Sequence, residues 1–392
     1  MNIARKYPHI ICEGELGYQR CSRCIMDTTD PAISFDVNGV CNHCLRVDRW
    51  KLQWNPEGDS EALERLMETI KKDGRGKEYD MIMGLSGGVD SSYVAKLAKD
   101  FGLRTLVVHC DTGWNSELAV KNIENIVSKC GFDLVTHVVD WETMRNLQLA
   151  FFKSGVPNQD IPQDHAILAV FYGYADKHKV KWSLSGSNLA TESILPTAWG
   201  YDNLDLKHIQ DIHHKFGSGN LSKFPTMSYL KYGLYYQMVK GMQIAKPLNL
   251  INYKKGEAMK VLQDSFDWKY YGGKHYESRF TKFFQGWYLP TKWGYDKRLA
   301  HLSSLVASNE ITRDQALNDF RVGTLPISDI ESDKDYMARK LGISDDEFRL
   351  LMSVPNQDHL DYDHTSLRLK MFMAKFVALP QAIQKRLFNS VK

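Results

Sequence analysis

Long apolar runs are missing from this sequence: nowhere in its 392 residues do eighteen or more apolar side chains follow one another, which excludes a conventional membrane-spanning helix. The residues from Met1 to Pro8 contain no apolar core of the kind found in a signal peptide, so a cytoplasmic protein is expected. Net charge is nearly absent as well. Lys and Arg number 50 against 47 Asp and Glu, leaving +3, which argues against binding nucleic acid by bulk electrostatics. Cysteine is scarce: seven in a chain long enough for two or three domains exclude a small disulfide-stapled fold. Two nucleotide-binding signatures are also missing, since neither G-x-x-x-x-G-K-[ST] nor G-x-G-x-x-G occurs.

What is present begins with four of the seven cysteines. Cys21, Cys24, Cys41 and Cys44 stand as C-x2-C-x16-C-x2-C. Two close thiolate pairs on two turns can surround one zinc ion, and a site filled by four protein ligands is structural rather than catalytic. Iron on the same thiolates, or two disulfides, are the alternatives. His43 falls outside this ligand set and is expected at the surface. Cys12, Cys110 and Cys130 form no motif and read as buried or incidental thiols.

From Trp54 to Asp59 the chain reads as a linker ending in helix-capping residues, and Leu63, Leu66, Met67 and Ile70 then mark an amphipathic helix. Strands and helices alternate afterwards. Strands are expected at Tyr79–Leu85, Thr105–His109, Leu134–Val139 and Trp182–Ser185. Helices are expected at about Ser91–Phe101, around Leu118 to Val127, from about Trp141, and at Asp164–His178. This rhythm predicts an α/β fold with an open, doubly wound parallel sheet, whose ligands bind at the carboxyl ends of the strands. Past Leu206 the alternation is lost and a helical, aromatic and basic region follows, with a capping box at Ser344 and Glu347. The expected domains are 1–55, 56–206 and 207–392.

The loop after the first strand reads Ser86-Gly87-Gly88-Val89-Asp90-Ser91-Ser92. Two glycines let successive N–H groups curl around an anion at a helix N-terminus. Ser86, Ser91 and Ser92 can donate to phosphate oxygens, and Asp90 can hold magnesium. Two more strand-end loops carry Asp111, and Gly186, Asn188 and Glu192. Between Lys269 and Arg298 seven basic residues face only two acids, Glu277 and Asp296, among ten aromatics, so the whole positive excess lies in one block suited to phosphate and sugar.

The S-G-G-x-D-S string resembles the PP-loop of the N-type ATP pyrophosphatases. The stretch from Tyr271 to Lys282, followed by Gly294 to Arg298, looks very like the distinctive block of the N-acetyl sugar amidotransferases of bacterial surface-glycan biosynthesis. With the paired CxxC motifs, this resemblance runs from Cys21 to beyond His301. It implies an N-terminal zinc ribbon, a PP-loop ATP pyrophosphatase domain and a C-terminal substrate region. The activity implied is conversion of an acetamido group on a lipopolysaccharide O-antigen or flagellar sugar into an acetamidino group. ATP adenylates the amide oxygen, ammonia displaces AMP, and pyrophosphate is the other product. ATP contacts are implied for Ser86, Gly87, Gly88, Asp90, Ser91, Ser92, Asp111, Gly186 and Asn188, and magnesium for Asp90 and Glu192. Lys274 and Arg279 would offset charge in catalysis, while His275, Tyr276, Lys282, Lys297 and Arg298 would bind the sugar. No glutaminase signature is present, residue 2 being Asn2 and no G-x-C-x-G occurring, so ammonia must come from outside. The resemblance implies a separate glutaminase subunit with a cyclase-like companion. The alternative is a tRNA 2-thiolation enzyme of the same superfamily, which usually carries further catalytic cysteines that are missing here.

Overall fold

A computed structural model describes residues 11–52, 55, 57–323, 325–366 and 369–372. The expectations for Met1 to Pro8, and for Trp54 and Pro56 of the linker, lie outside the described residues. Five parallel strands form the central sheet: β1 (Met81–Gly84), β2 (Thr105–Asp111), β3 (Asp133–Val138), β4 (Trp182–Leu184) and β5 (Gln243–Ala245), in the order β3-β2-β1-β4-β5. The expected open α/β sheet is therefore present, with one addition. β5 pairs with β4 through Trp182 and Gln243, Ser183 and Ile244, and Leu184 and Ala245, so the region past Leu206 returns to the sheet. Three residues with a half-exposed Ile244 leave too short an apolar pattern to read as a strand.

Alternate strand residues feed two separate cores. Ile82, Leu106 and Val108 face one side, and Met81, Met83 and Val107 the other. After α1 (Asn42–Lys51) come α2 (Ser60–Asp73), α3 (Val89–Asp100) and α4 (Glu117–Cys130), the last three packing on the second side through Met67, Val94 and Ile126. The first side is covered by α5 (Trp141–Ser154) and α6 (Ile161–Lys177), through Leu147, Phe151 and Val170. Helices thus lie on both faces, as a parallel sheet requires. β2 extends to Asp111 and α6 starts at Ile161, three residues before the expected Asp164, with Pro162 in the first turn, where its missing N–H costs nothing.

The rest of the chain is helical: α7 (Leu189–Glu192), α8 (Leu206–Phe216), α9 (Lys255–Phe266), α10 (Arg279–Phe283), α11 (Leu289–Trp293), α12 (Lys297–Ala307), α13 (Arg313–Val322), α14 (Ile327–Leu341) and α15 (Asp345–Ser353). The capping box of Ser344 and Glu347 opens α15 as expected. Phe280, Phe283 and Phe284 are fully buried and tie this region to the α5 side of the sheet. Among the described residues, no helix is long and apolar enough to cross a membrane.

Candidate active site

β1 and β4 are neighbours, and the chain leaves them toward opposite edges of the sheet, so their carboxyl ends form the switch point where ligands bind in such folds. The phosphate loop leaves β1 there. Gly87 has φ +80°, and a Cβ on it would stand 2.6 Å from the carbonyl oxygen of Ala119, so only glycine closes the loop. From the other side Gly186 approaches so closely that a Cβ would lie 2.9 Å from the Ser91 nitrogen. The two loops therefore meet backbone to backbone at the start of α3.

The basic block lies across this junction as a strap. Trp268 Nε1 donates to the Gly87 carbonyl (2.8 Å), and Val89 N–H donates to the Tyr271 hydroxyl (3.3 Å). Ser116 N–H donates to the Glu277 carbonyl and Arg279 N–H to the Trp114 carbonyl, both at 2.8 Å. Lys274 extends its ammonium between the two strand-end loops, 2.9 Å from Glu192 Oε1, 3.6 Å from Asp90 Oδ2 and 3.1 Å from Thr191 Oγ1. Burial alone would pull Lys274 below its ordinary pKa, but Asp90 and Glu192 outweigh it and hold the ammonium above. Burial pushes Glu192 up, and Lys274 more than reverses the effect. Tyr253, from the loop before α9, fixes the second Asp90 oxygen by donating to Oδ1 at 2.5 Å.

A cavity of about 450 Å³ opens from the loop. Ser86, Ser91 and Glu277 line it, Glu277 Oε1 lying 3.2 Å from where a Cβ on Gly88 would stand, and Asp160, Asp164, His275 and Lys297 line it as well. Gln163, Thr281 and Gln285 all donate to Asp160 (2.6, 3.2 and 3.4 Å). Burial, followed by the neighbouring Asp160, pushes Asp164 up to about 7. Burial draws Lys297 down against the attraction of both carboxylates. His275 holds φ +64°, a left-handed backbone uncommon outside glycine, and reaches within 3.9 Å of Glu277 Oε1. Because Asp164 is harder to ionise in the folded chain than in the unfolded one, it lowers stability as pH rises from about 4 through 7. Asp164→Asn should therefore be more stable than the parent at pH 8, with the difference closing below about pH 4. Urea unfolding of both proteins across that range checks the sign, and a pH-independent difference would refute it.

Not every expected residue reaches the cavity. Ser92, expected to donate to phosphate, is fully buried inside α3 and is closed off from the loop's concavity. Asp111 accepts from Gly113 N–H (2.8 Å) and Asn115 Nδ2 (3.0 Å), and so shapes the β2 loop. Asn188 caps α7 through the Thr191 N–H and positions Glu192 rather than lining the cavity. Arg279 and Lys282 are taken by Asp333 of α14, at 3.2 and 3.0 Å, with the Arg279 guanidinium stacked 3.6 Å from the Tyr336 ring centre. Together with Tyr276 they line a separate depression. Arg298 is gripped by Asp296 (2.5 Å) and stacks on Phe320. Of the block's cations, Lys274 and Lys297 are the two at the site. Tyr253, Tyr271, Glu277, Asp160 and Asp164 were not anticipated. The one local hint was the polar string Asn158, Gln159, Asp160, Gln163 and Asp164 at a helix start.

The four cysteines converge as expected. All four Sγ atoms lie within 4.8 Å of one another, and the Cys24 and Cys41 sulfurs are 3.7 Å apart, close to the ~3.8 Å edge of a tetrahedron built on zinc–sulfur bonds. The N–H groups of Arg23, Cys24 and Cys41 donate to Cys21 Sγ, and hydrogen bonds from Cys24, then Cys41 and Cys44, favour its thiolate. This donor set fits a closed structural zinc site. His43 is the correction: it is buried, with Nε2 2.6 Å from Asp30 Oδ2 and Nδ1 3.1 Å from Arg46. The module rests on the C-terminal helices, with Arg313 donating to the Cys21 and Cys24 carbonyls and Ser303 accepting from Ile25 N–H.

Solved structures similar to this chain include NMN synthetase from Francisella tularensis, at 14% identity over 76% of this chain and 97% of that one, with a TM-score of 0.31. Others are the NH3-dependent NAD synthetase from Campylobacter jejuni subsp. jejuni NCTC 11168 in complex with nitrate (14%, 53% and 93%, TM-score 0.28) and a predicted subunit of tRNA methyltransferase from Methanocaldococcus jannaschii (16%, 47% and 75%, TM-score 0.28). No curated protein matches the chain. Residues 277–376 match the family described as LPS biosynthesis protein WbpG-like, C-terminal domain. That matched stretch begins at Glu277 of the strap and includes Lys297 of the cavity.

Proposed function

We propose that the protein is an ATP-dependent, AMP-forming amidotransferase that converts an acetamido group of a bacterial surface sugar into an acetamidino group. One observation carries the reading: a single cavity joins the serines of a phosphate loop to Lys297 and His275 of the basic block, in a chain with a lipopolysaccharide-biosynthesis C-terminal domain. An amide oxygen is a poor leaving group, so it first attacks the α-phosphate of ATP and becomes an adenylated imidate; ammonia then displaces AMP. Ser86, Ser91 and the loop N–H groups hold the pyrophosphate end. Lys274 offsets the charge that develops there. Asp90 and Glu192 already bracket one cationic nitrogen, and with phosphate oxygens they would hold magnesium, which neutralises triphosphate charge when bound. Lys297 and His275 face the sugar. Ammonia comes from a separate glutaminase with a cyclase-like companion.

The thiolation alternative needs a reactive cysteine at the cavity. Cys110 lines it, but burial and then Asp111 push its thiol up to about 12, which suits packing and not sulfur transfer. Incubating the protein with ATP, magnesium, ammonium and a panel of acetamido sugars should give AMP together with a sugar lighter by roughly one dalton, since oxygen is replaced by NH. AMP without any sugar mass change, or salt-sensitive binding of tRNA, would refute the proposal.

A further inference from the structure

The two edges of the sheet are built differently. β5 is three residues long and runs straight into Lys246 and Pro247, and short length, charge and proline are what keep an edge from pairing with another chain. β3, at the other edge, is six residues long and contains no proline, lysine or arginine. Its one acid, Asp133, is taken by the Tyr79 hydroxyl, which donates to it at 3.0 Å. β2 fills the inner edge of β3, in register from Asp133 to Val138. Among the described residues, nothing pairs with the outer edge. Which groups point outward follows from the residue after the strand. Val139 N–H donates inward to the Asp111 carbonyl (2.9 Å), and these directions alternate along a strand, so Leu134, Thr136 and Val138 turn their N–H and C=O groups out. Their side chains also share one face of the sheet. All three are exposed, Val138 at 68% and Leu134 at 37%, whereas on the opposite face Val135 packs into the core and His137 meets the Tyr174 ring.

We propose that β3 is a self-association edge, pairing antiparallel with β3 of a second copy of this chain about a two-fold axis at Thr136. The outward groups set the register. With the axis there, Thr136 faces Thr136 and Leu134 faces Val138 of the second copy, so every outward N–H and C=O of the strand meets its complement. Any other register leaves one of the three residues without a mate in the strand. Charge favours the same arrangement. α4, on the face where Leu134, Thr136 and Val138 lie, has Glu117 in its first turn and Lys129 in its last. An antiparallel copy brings the basic end of one α4 toward the acidic end of the other, whereas a parallel strand would set like ends side by side. The two-fold closes the assembly at two copies, because the guarded β5 edges add no third. Strand carboxyl ends then point in opposite directions in the two copies, so the two cavities open at opposite ends of the joined sheet. Such a strip is narrow, carried by backbone hydrogen bonds and the apolar pairs of Leu134 with Val138, and it gives a dimer that comes apart on dilution. The inference stands independently of the proposed function.

Sedimentation velocity of the full-length protein over a dilution series should show monomer and dimer in exchange. Thr136→Lys sets two ammonium groups face to face across the axis, and it should raise the dissociation constant on the order of 10²-fold while keeping the circular dichroism of the parent. Cysteine substitution reads the register without adding charge. A hydrogen-bonded antiparallel pair holds its Cα atoms roughly 5.5 Å apart, within reach of a disulfide. Thr136→Cys should therefore cross-link with itself under mild oxidation, beyond the background of the parent's own thiols. Leu134→Cys and Val138→Cys should each stay uncross-linked alone and cross-link when mixed. A parent that stays monomeric at its highest soluble concentration overturns the proposal. So does a dimer that Thr136→Lys leaves intact, which would place the contact elsewhere, or a Val138→Cys protein that cross-links with itself in preference to Thr136→Cys, which would mean another register. The cysteine pattern decides the matter on its own if the lysine variant fails to fold.

Discussion

Asp90→Ala is expected to lower sugar-dependent AMP release by on the order of 10³-fold, about 4 kcal/mol of transition-state stabilisation, while leaving the thermal midpoint close to that of the parent. Asp90 sits in the first turn of α3, one oxygen held by Tyr253 and the other near Lys274. Both contacts fix the carboxylate in place. On the proposed function its loss removes a carboxylate that would hold magnesium, and it leaves Glu192 as the carboxylate beside Lys274. The fold survives because Glu192 and Thr191 still satisfy Lys274. AMP release and a melting curve, measured together, decide the matter; release at the parental rate would remove Asp90 from the phosphate site.

The second large effect is expected in the cysteine module, earlier in the chain. Cys44→Ser should lose bound zinc and destabilise the protein on the order of 5 kcal/mol, because a closed four-thiolate site contributes its binding energy to folding. The loss should not stop at the module. Ser303 on α12 and Arg313 at the start of α13 hold the loop from Cys21 to Ile25, and α12 begins at Lys297, which lines the cavity. Metal content, the melting point and sugar-dependent AMP release should therefore fall together. Loss of zinc with full AMP release would show that the module leaves the cavity unaffected.

How much could be read in advance depended on how local each feature is. The phosphate loop and the CxxC pairs are contiguous strings whose chemistry is carried by neighbours in sequence, and the structure brings both together. The sheet was legible because apolar runs and helix-period patterns alternate along the first half. β5 was not, since three residues carry no period. The charge pattern of the basic block misled for a physical reason: a cation's role depends on the acid it meets, and Asp333 stands 54 residues after Arg279. His43 was misplaced in the same way, since Asp30 draws it inside from thirteen residues earlier. Asp160 and Asp164 are perturbed first by burial, which Lys297 opposes at both and Thr281 and Gln285 at Asp160; these residues stand more than a hundred positions away, and no local pattern encodes that.

The phosphate loop, finally, is not an open cradle. Ser86 N–H already donates to the Ser91 hydroxyl, Gly88 N–H to the Ser86 hydroxyl and Val89 N–H to the Tyr271 hydroxyl. On the proposed function a triphosphate would have to take these donors from partners inside the protein, so binding would exchange one set of hydrogen bonds for another. The net gain is then smaller than the number of donors suggests, and the strap that carries Tyr271 has to yield before the nucleotide is fully seated. At rest the loop's own neighbours occupy the donors that an anion would need.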